Sequence, residues 1–226
     1  MAPLSTVVAQ LHAAANPANR AEMARVGIVG AQRLGVSVPA MRRIAKAIGR
    51  DHALALALWK TGIADARIVA SMIADPAKLS ERDMEAWALD FDSWDVVDQV
   101  CSNLFDKTPF ARRKIQEWST RSEEYVKRAA FVLIACVVWH DKNAPDAEFI
   151  AWLPLIAGAA SDERNFVRKA VNWALRNIGK RNAALNRAAV STAEQIQRQD
   201  SKAARWIAAD ALRELRSDAV RQRLAK

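Results

Sequence analysis

The chain has 226 residues, of which 51% are hydrophobic, enough to bury a sizeable core in one large or two small domains. Lys and Arg number 34 against 25 Asp and Glu, a net charge of +9, which favours a polyanionic partner such as nucleic acid or an anionic surface over an acidic ligand. The longest apolar run, 129–139, is far too short to span a bilayer, and seven Gly with seven Pro leave a helical composition.

Helical periodicity runs almost throughout, and no segment sustains the alternation of a strand. From the N-terminus, the spacing predicts helices over 3–15, 20–33, 39–49, 51–59, 63–74 and 80–90, with breaks at Asn16-Pro17, Val38-Pro39 and Asp75-Pro76. The next predicted helix, 94–105, follows Phe91-Asp92-Ser93, where Asp92 or Ser93 can act as N-cap. In it Val97, Val100, Cys101 and Leu104 fall at helical spacing and face the core. Trp94 and Asp98, four residues apart, lie one turn above the other on a neighbouring, more exposed face. Asp95 is a first-turn residue favoured by the helix dipole. Asp98 lies beyond that turn, so capping does not account for it, and it is either a surface salt-bridge partner or a group kept for chemistry.

After the break at Thr108-Pro109 come predicted helices over 109–120 and 123–139, then, beyond Ala144-Pro145, over 146–159, 163–179, 183–196 and 201–215. Short connections make consecutive helices antiparallel neighbours. Tyr125-Val126-Lys127-Arg128-Ala129-Ala130 aligns with Phe166-Val167-Arg168-Lys169-Ala170-Val171, 41 residues later. The core stripes coincide: Val126, Ala129, Ala130, Leu133, Ile134 and Val137 match Val167, Ala170, Val171, Ala174, Leu175 and Ile178. Ala66-Arg67-Ile68-Val69-Ala70 is a weaker relative. A period near 41 built from helix pairs is the signature of a HEAT-like α-solenoid, so the expected architecture is all-α, one repeat domain over 1–226.

On the helix predicted over 163–179, Lys169, Trp173, Arg176 and Lys180 recur at i, i+4, i+7 and i+11 and form one line. A basic line with an aromatic inside it suits a phosphate backbone plus one apolar contact. Arg128 holds the position equivalent to Lys169, so stacked repeats would put it on the same concave basic surface. A solvated basic face with a bracing Trp is the competing reading. Trp59, Trp87, Trp118, Trp139, Trp152 and Trp206 read as core or inter-repeat packing. Cys101 and Cys136 read as reduced, buried thiols of a cytosolic protein, and no secretory pattern is visible at the N-terminus. His12, His52 and His140 are scattered, no metal-ligand spacing occurs, and there is no Gly-rich phosphate loop, so neither metal nor cofactor is expected.

Together, Ser93-Trp94-Asp95-Val96-Val97-Asp98, Lys127-Arg128-Ala129-Ala130 and Lys169-Ala170-Val171-Asn172-Trp173-Ala174-Leu175-Arg176 resemble the DNA alkylation-repair glycosylases of the HEAT-like, AlkD type. Met23-Ala24-Arg25 and Val38-Pro39-Ala40-Met41-Arg42-Arg43 extend the likeness over nearly the whole chain. The resemblance implies an enzyme that excises cationic N3- and N7-alkylated purines from duplex DNA without flipping the base into a pocket; a bacterial cytosolic location is expected, and a solenoid that wraps duplex DNA can work as a monomer. It implies Asp98 as the catalytic carboxylate, Trp94 and Trp173 framing the lesion nucleotide, and Arg128 and Arg176 on the DNA backbone. Lys169 and Lys180 extend that backbone contact. One departure stands out: where the best-known member of the family carries a Tyr after Met-Ala-Arg, this chain has Val26. The alternatives are a non-catalytic module that binds damaged or branched DNA and a repeat scaffold for proteins. A membrane role fits least, because the basic residues lie on core-packed helices.

Overall fold

The prolines that interrupt the periodic pattern open helices rather than only ending them. In the computed structural model, which describes residues 3–29 and 32–225, Asn16 caps a helix whose first residue is Pro17 and accepts from the Asn19 amide at 3.0 Å. Ser37 caps a helix with Pro39 in its first turn. A first-turn amide has no carbonyl partner within the helix, so a residue without one loses nothing there. Asp51, Ser80, Asn182, Ser201 and Ser217 cap five further helices through their side-chain oxygens.

The described residues form two compact units, Met1–Ala111 and Arg112–Lys226, and contain α-helices but no strand. The first unit holds α1 (Leu4–Ala13), α2 (Pro17–Arg25), α3 (Val38–Ile48), α4 (His52–Trp59), α5 (Ala64–Ile73), α6 (Glu81–Leu89), α7 (Trp94–Asn103) and a 3₁₀ turn, Phe105–Lys107. α3, α5 and α7 pack in a row, with α4 against α5. The weak repeat relative lies in α5, and Ala66, Ile68, Val69 and Ala70 are buried there. Trp59 and Trp87 stack with ring centroids 3.9 Å apart, and the Trp59 indole N–H donates to Asp90 at 2.8 Å, which explains how a large amphipathic ring is accommodated in a core.

The helix expected over 20–33 is shorter and starts earlier, at Pro17–Arg25. Gly27, with φ +79°, turns the chain out of helical geometry, although the apolar Val26, Ile28 and Val29 extend the pattern. Gly30 and Ala31, inside the expected helix, lie outside the described residues. The segment beyond them is irregular, and its amides are satisfied from elsewhere: buried Asp65, in the first turn of α5, accepts from Leu34 and Val36, both at 2.8 Å.

The second unit contains α8 (Ala111–Trp118), whose first residue lies at the boundary, then α9 (Glu124–His140), α10 (Asp146–Ala159), α11 (Asn165–Gly179), α12 (Ala183–Gln197), α13 (Lys202–Leu215) and α14 (Asp218–Leu224). α9, α11 and α13 form one row, α10 and α12 the second. Every residue of the two aligned stripes, on α9 and α11, is buried. Consecutive repeats are also tied by hydrogen bonds at the repeat spacing. Arg128 donates to the Phe166 carbonyl and Asn172 to Asp210, each across 38 residues, while Arg164 reaches the Ser122 carbonyl across 42. α14, absent from the expected set, is a seven-residue helix with one buried residue, Val220, too short to carry a periodic signal. Trp59, Trp87, Trp118 and Trp152 are buried, but Trp139 is 63% and Trp206 38% exposed, so these two are not core residues. Each sits near a helix end or beside a cation: Lys142 lies 4.9 Å from the Trp139 ring and Arg168 5.1 Å from that of Trp206.

Asp162 joins α9 to the turn before α11. It pairs with Arg164 at 2.6 Å and with Lys127 at 3.0 Å, and the Arg164 hydrogen bond in the first place holds its pKa down from 3.8 to about 2. A depressed carboxyl stabilises the fold above its unfolded value and ceases to do so as the pH falls through the folded one. Asp162→Asn is therefore expected to lower stability by about 1 kcal/mol at pH 6. Wild type and variant should converge between about pH 4 and pH 2 in urea titrations. Gly35, at φ +76°, has no room for a side chain, since a Cβ would run into the Asn16 carbonyl oxygen at the α2 cap. Gly35→Ala should cost about 2 kcal/mol or more, read as a lowered urea midpoint at unchanged slope.

Candidate functional site

α7 begins at Ser93, the extended residue that serves as its N-cap, and buries Val96, Val97, Val100 and Cys101 on one side. The rotation that buries those residues leaves Trp94 and Asp98 half-buried on the adjacent face, one turn apart. The Trp94 indole N–H donates to the Val26 carbonyl at 3.2 Å. The Val26 backbone thus fixes the indole edge, and the Val26 side chain itself is exposed.

The other carboxylate of the segment is in a different situation. Arg33 is 4% exposed and grips Asp95 with both terminal nitrogens, at 2.7 and 2.8 Å. Ser93 accepts from Arg33 and donates to Asp95, closing a three-residue network across 62 residues of sequence. Asp95 therefore does more than complement a helix dipole: it is the counter-charge of a buried guanidinium. Nothing in the local sequence announces this, because the pattern puts Arg33 at the end of the helix expected over 20–33, whereas in the structure it lies in irregular chain.

In the second unit α11 carries the expected basic line. Lys169 is exposed, and Trp173, Arg176 and Lys180 are half-buried. Two of the cations are already matched. Arg176 pairs with Glu214 at 2.7 Å and with Asp210 at 3.4 Å, and Lys180 pairs with Glu214 at 2.8 Å. Burial pushes the Glu214 carboxyl up, but Lys180 and Arg176 outweigh it and its pKa ends below the ordinary value. Asp210 and Glu214 stand four apart on α13, 38 residues after Asn172 and Arg176 respectively, so carrying the repeat offset one step further identifies them.

Arg128 differs from its repeat equivalent. Lys169 is exposed, whereas Arg128 is 5% exposed and its guanidinium holds the Phe166 carbonyl at 2.6 Å. The bond secures α9 to the first turn of α11. The structure thus brings Trp94 and Asp98 together on α7 of the first unit and Lys169, Trp173, Arg176 and Lys180 together on α11 of the second.

Residues 7–215 match a protein family described as DNA alkylation repair enzyme. No curated protein matches. Among solved structures, one is similar at a TM-score of 0.81 and 22% identity, over 99% of this chain and 96% of the other. It is described as belonging to a new family of proteins related to the HEAT-like repeat DNA glycosylases, with affinity for branched DNA structures. That likeness gives the fold: all-α, built of HEAT-like repeats. An engineered protein (TM-score 0.44, 15% identity, 96% of this chain and 99% of the other) and a designed armadillo repeat protein in complex with the peptide (KR)4 (0.36, 12%, 99% and 97%) are more distant.

Removing one partner of a buried ion pair leaves an uncompensated charge. Arg33→Met should therefore destabilise the protein by about 3 kcal/mol or more, and adding Asp95→Asn should restore part of the loss. Chemical denaturation of the four proteins of that cycle measures the coupling, and simple additivity would show that the two groups do not support each other.

Proposed function

Because the chain belongs to the DNA alkylation repair enzyme family, we propose that it is a DNA glycosylase that removes cationic N3- and N7-alkylated purines, such as 7-methylguanine and 3-methyladenine, from duplex DNA. The observation that supports this most is where the start of α7 places its second carboxylate. Asp95 is committed to Arg33, while Asp98 sits half-buried one turn above Trp94.

One carboxylate is sufficient for such a substrate. An ordinary glycosidase needs a second as general acid, because its leaving oxygen must be protonated. A purine alkylated at N3 or N7 already carries positive charge. When its bond to C1′ breaks, the electron pair stays with the base and the base departs neutral. The charge then resides on the sugar, and the Asp98 carboxylate stabilises it electrostatically and orients the water that adds to C1′, whose proton passes to the carboxylate or to solvent. Trp94 and Trp173 each offer a π face to an electron-poor ring.

Lys169 supplies a phosphate contact directly. Arg176 and Lys180 supply theirs in competition with Glu214 and Asp210, so binding DNA there requires the ion pairs to rearrange or be shared. Arg128 serves the site by holding α9 against α11.

A second reading is a module that binds branched DNA without cleaving a bond. It draws on the affinity stated for the similar structure and on Val26, which leaves the position beside Trp94 without an aromatic ring. Base release separates the two readings. Asp98→Asn is expected to slow release of 7-methylguanine from methylated duplex DNA by at least about 100-fold while leaving duplex affinity equal or tighter. No release by the wild-type protein would favour the binding module, and undiminished release by the variant would remove Asp98 from the chemistry.

A further inference from the structure

The C-terminal ends of α9 and α11 enclose a cavity of about 680 Å³ within the second unit, lined by Trp139, Lys142, Lys180, Arg181 and Arg223 and by one carboxylate, Asp146. Part of this lining has a structural explanation. Arg181 donates to the Val138, Lys142 and Ala144 carbonyls at 2.7, 2.9 and 3.1 Å, capping the end of α9 and fixing the loop that follows it. Arg223 donates to the Lys180 carbonyl at the end of α11. Asp146 accepts both of its contacts from Asn182, at 2.9 Å, and so faces a neutral amide.

Helix capping does not account for the remainder. Neutral carbonyls leave the Arg181 and Arg223 charges uncancelled, and among the described residues neither these two nor Lys142 forms an ion pair; Lys180 pairs with Glu214. The Trp139 indole is 63% exposed at the rim, with the Lys142 ammonium 4.9 Å from its ring. A large exposed aromatic beside uncompensated cations, around a cavity held open by a three-way backbone clamp, matches the chemistry of an unpaired nucleotide: a flat π surface to stack on a ring and a phosphate to meet ammonium and guanidinium groups.

We propose that this cavity binds an unpaired nucleotide of a DNA strand, with the base stacked on Trp139 and its phosphate held by Lys142, Lys180 and Arg223, while Arg181 keeps the cavity formed. The subsite goes beyond base excision and requires only affinity for DNA, so it stands or falls separately from Asp98. It gives the protein a preference for duplexes that carry a single-stranded tail over blunt ones.

The test compares a blunt duplex with the same duplex bearing a tail of about six thymidines, by fluorescence anisotropy, using the full chain. The tailed duplex should bind about tenfold more tightly. Trp139→Ala should bring the two affinities together without weakening blunt-duplex binding, and as an exposed residue it should leave the circular dichroism spectrum unchanged. An abasic tail should lose most of the preference, and Lys142→Ala with Arg223→Ala should reduce both the preference and its salt dependence. Equal affinity for blunt and tailed duplexes in the wild type, or a preference that survives in Trp139→Ala, would overturn the proposal. A tail bound no more tightly than thymidine 5′-monophosphate would overturn the assignment to a strand. Running the Asp98→Asn variant in parallel separates this subsite from the excision reading: that variant should lose base release and keep the tail preference.

Discussion

The apolar stripes of α9 and α11 are buried by helices of neighbouring repeats, and much of the second unit depends on that constraint. Ala129, Leu133 and Val137 on α9 are out of solvent because α11 lies against α9. Ala170, Ala174 and Ile178 on α11 are buried within a row that continues to α13. Burial by a neighbour one repeat away brings backbone carbonyls and polar side chains into the same interfaces, and each must find a partner there. The bonds from Arg128 to Phe166 and from Asn172 to Asp210 meet that demand at a separation of 38 residues. The repeat spacing is consequently written twice, in the apolar stripes and in the polar ties.

The same demand gives neighbouring charged residues different environments. At the start of α7 two carboxylates stand three residues apart with similar local surroundings. One neutralises Arg33, which is buried and requires it, and the other remains on the half-buried face with Trp94. On α11 the sorting is less favourable to an open basic surface than a count of cations suggests. Arg176 and Lys180 share Glu214 from α13, whereas Lys169, one end of the line, is exposed. A net charge of +9 describes the far field of the molecule, while its near field is decided by which cations the fold has already matched.

The exposed tryptophan shows the converse. Trp139 is the next-to-last residue of a helix that is apolar nearly all round, and eight Trp in a helical protein read as packing. Its actual position, past the last buried turn and beside Lys142, follows from where α9 ends and the Arg181 clamp begins. Helix ends are set by caps and by contacts from distant chain, and a residue in the last turn can exchange a core environment for solvent within one position of buried Val138.

The sequence by itself determined what depends on spacing along the chain. The helical class, the buried stripes of α7, α9 and α11, the pairing of Trp94 with Asp98 on one face and the family resemblance all follow from residues within a few turns of one another or at a regular offset. Tertiary structure alone decided what depends on which distant groups meet. It matched Arg33 with Asp95 across 62 residues, turned Arg128 from a surface cation into a tie between repeats, and ended α2 at Arg25, where the chain bends at Gly27 and then runs on to the buried carboxylate of Asp65. The physical reason is the same in each case. Periodicity reports the direction a side chain leaves its helix, but a charge or an unpaired amide is satisfied by whatever the folded chain brings within about 3 Å, and that neighbour carries no local signature.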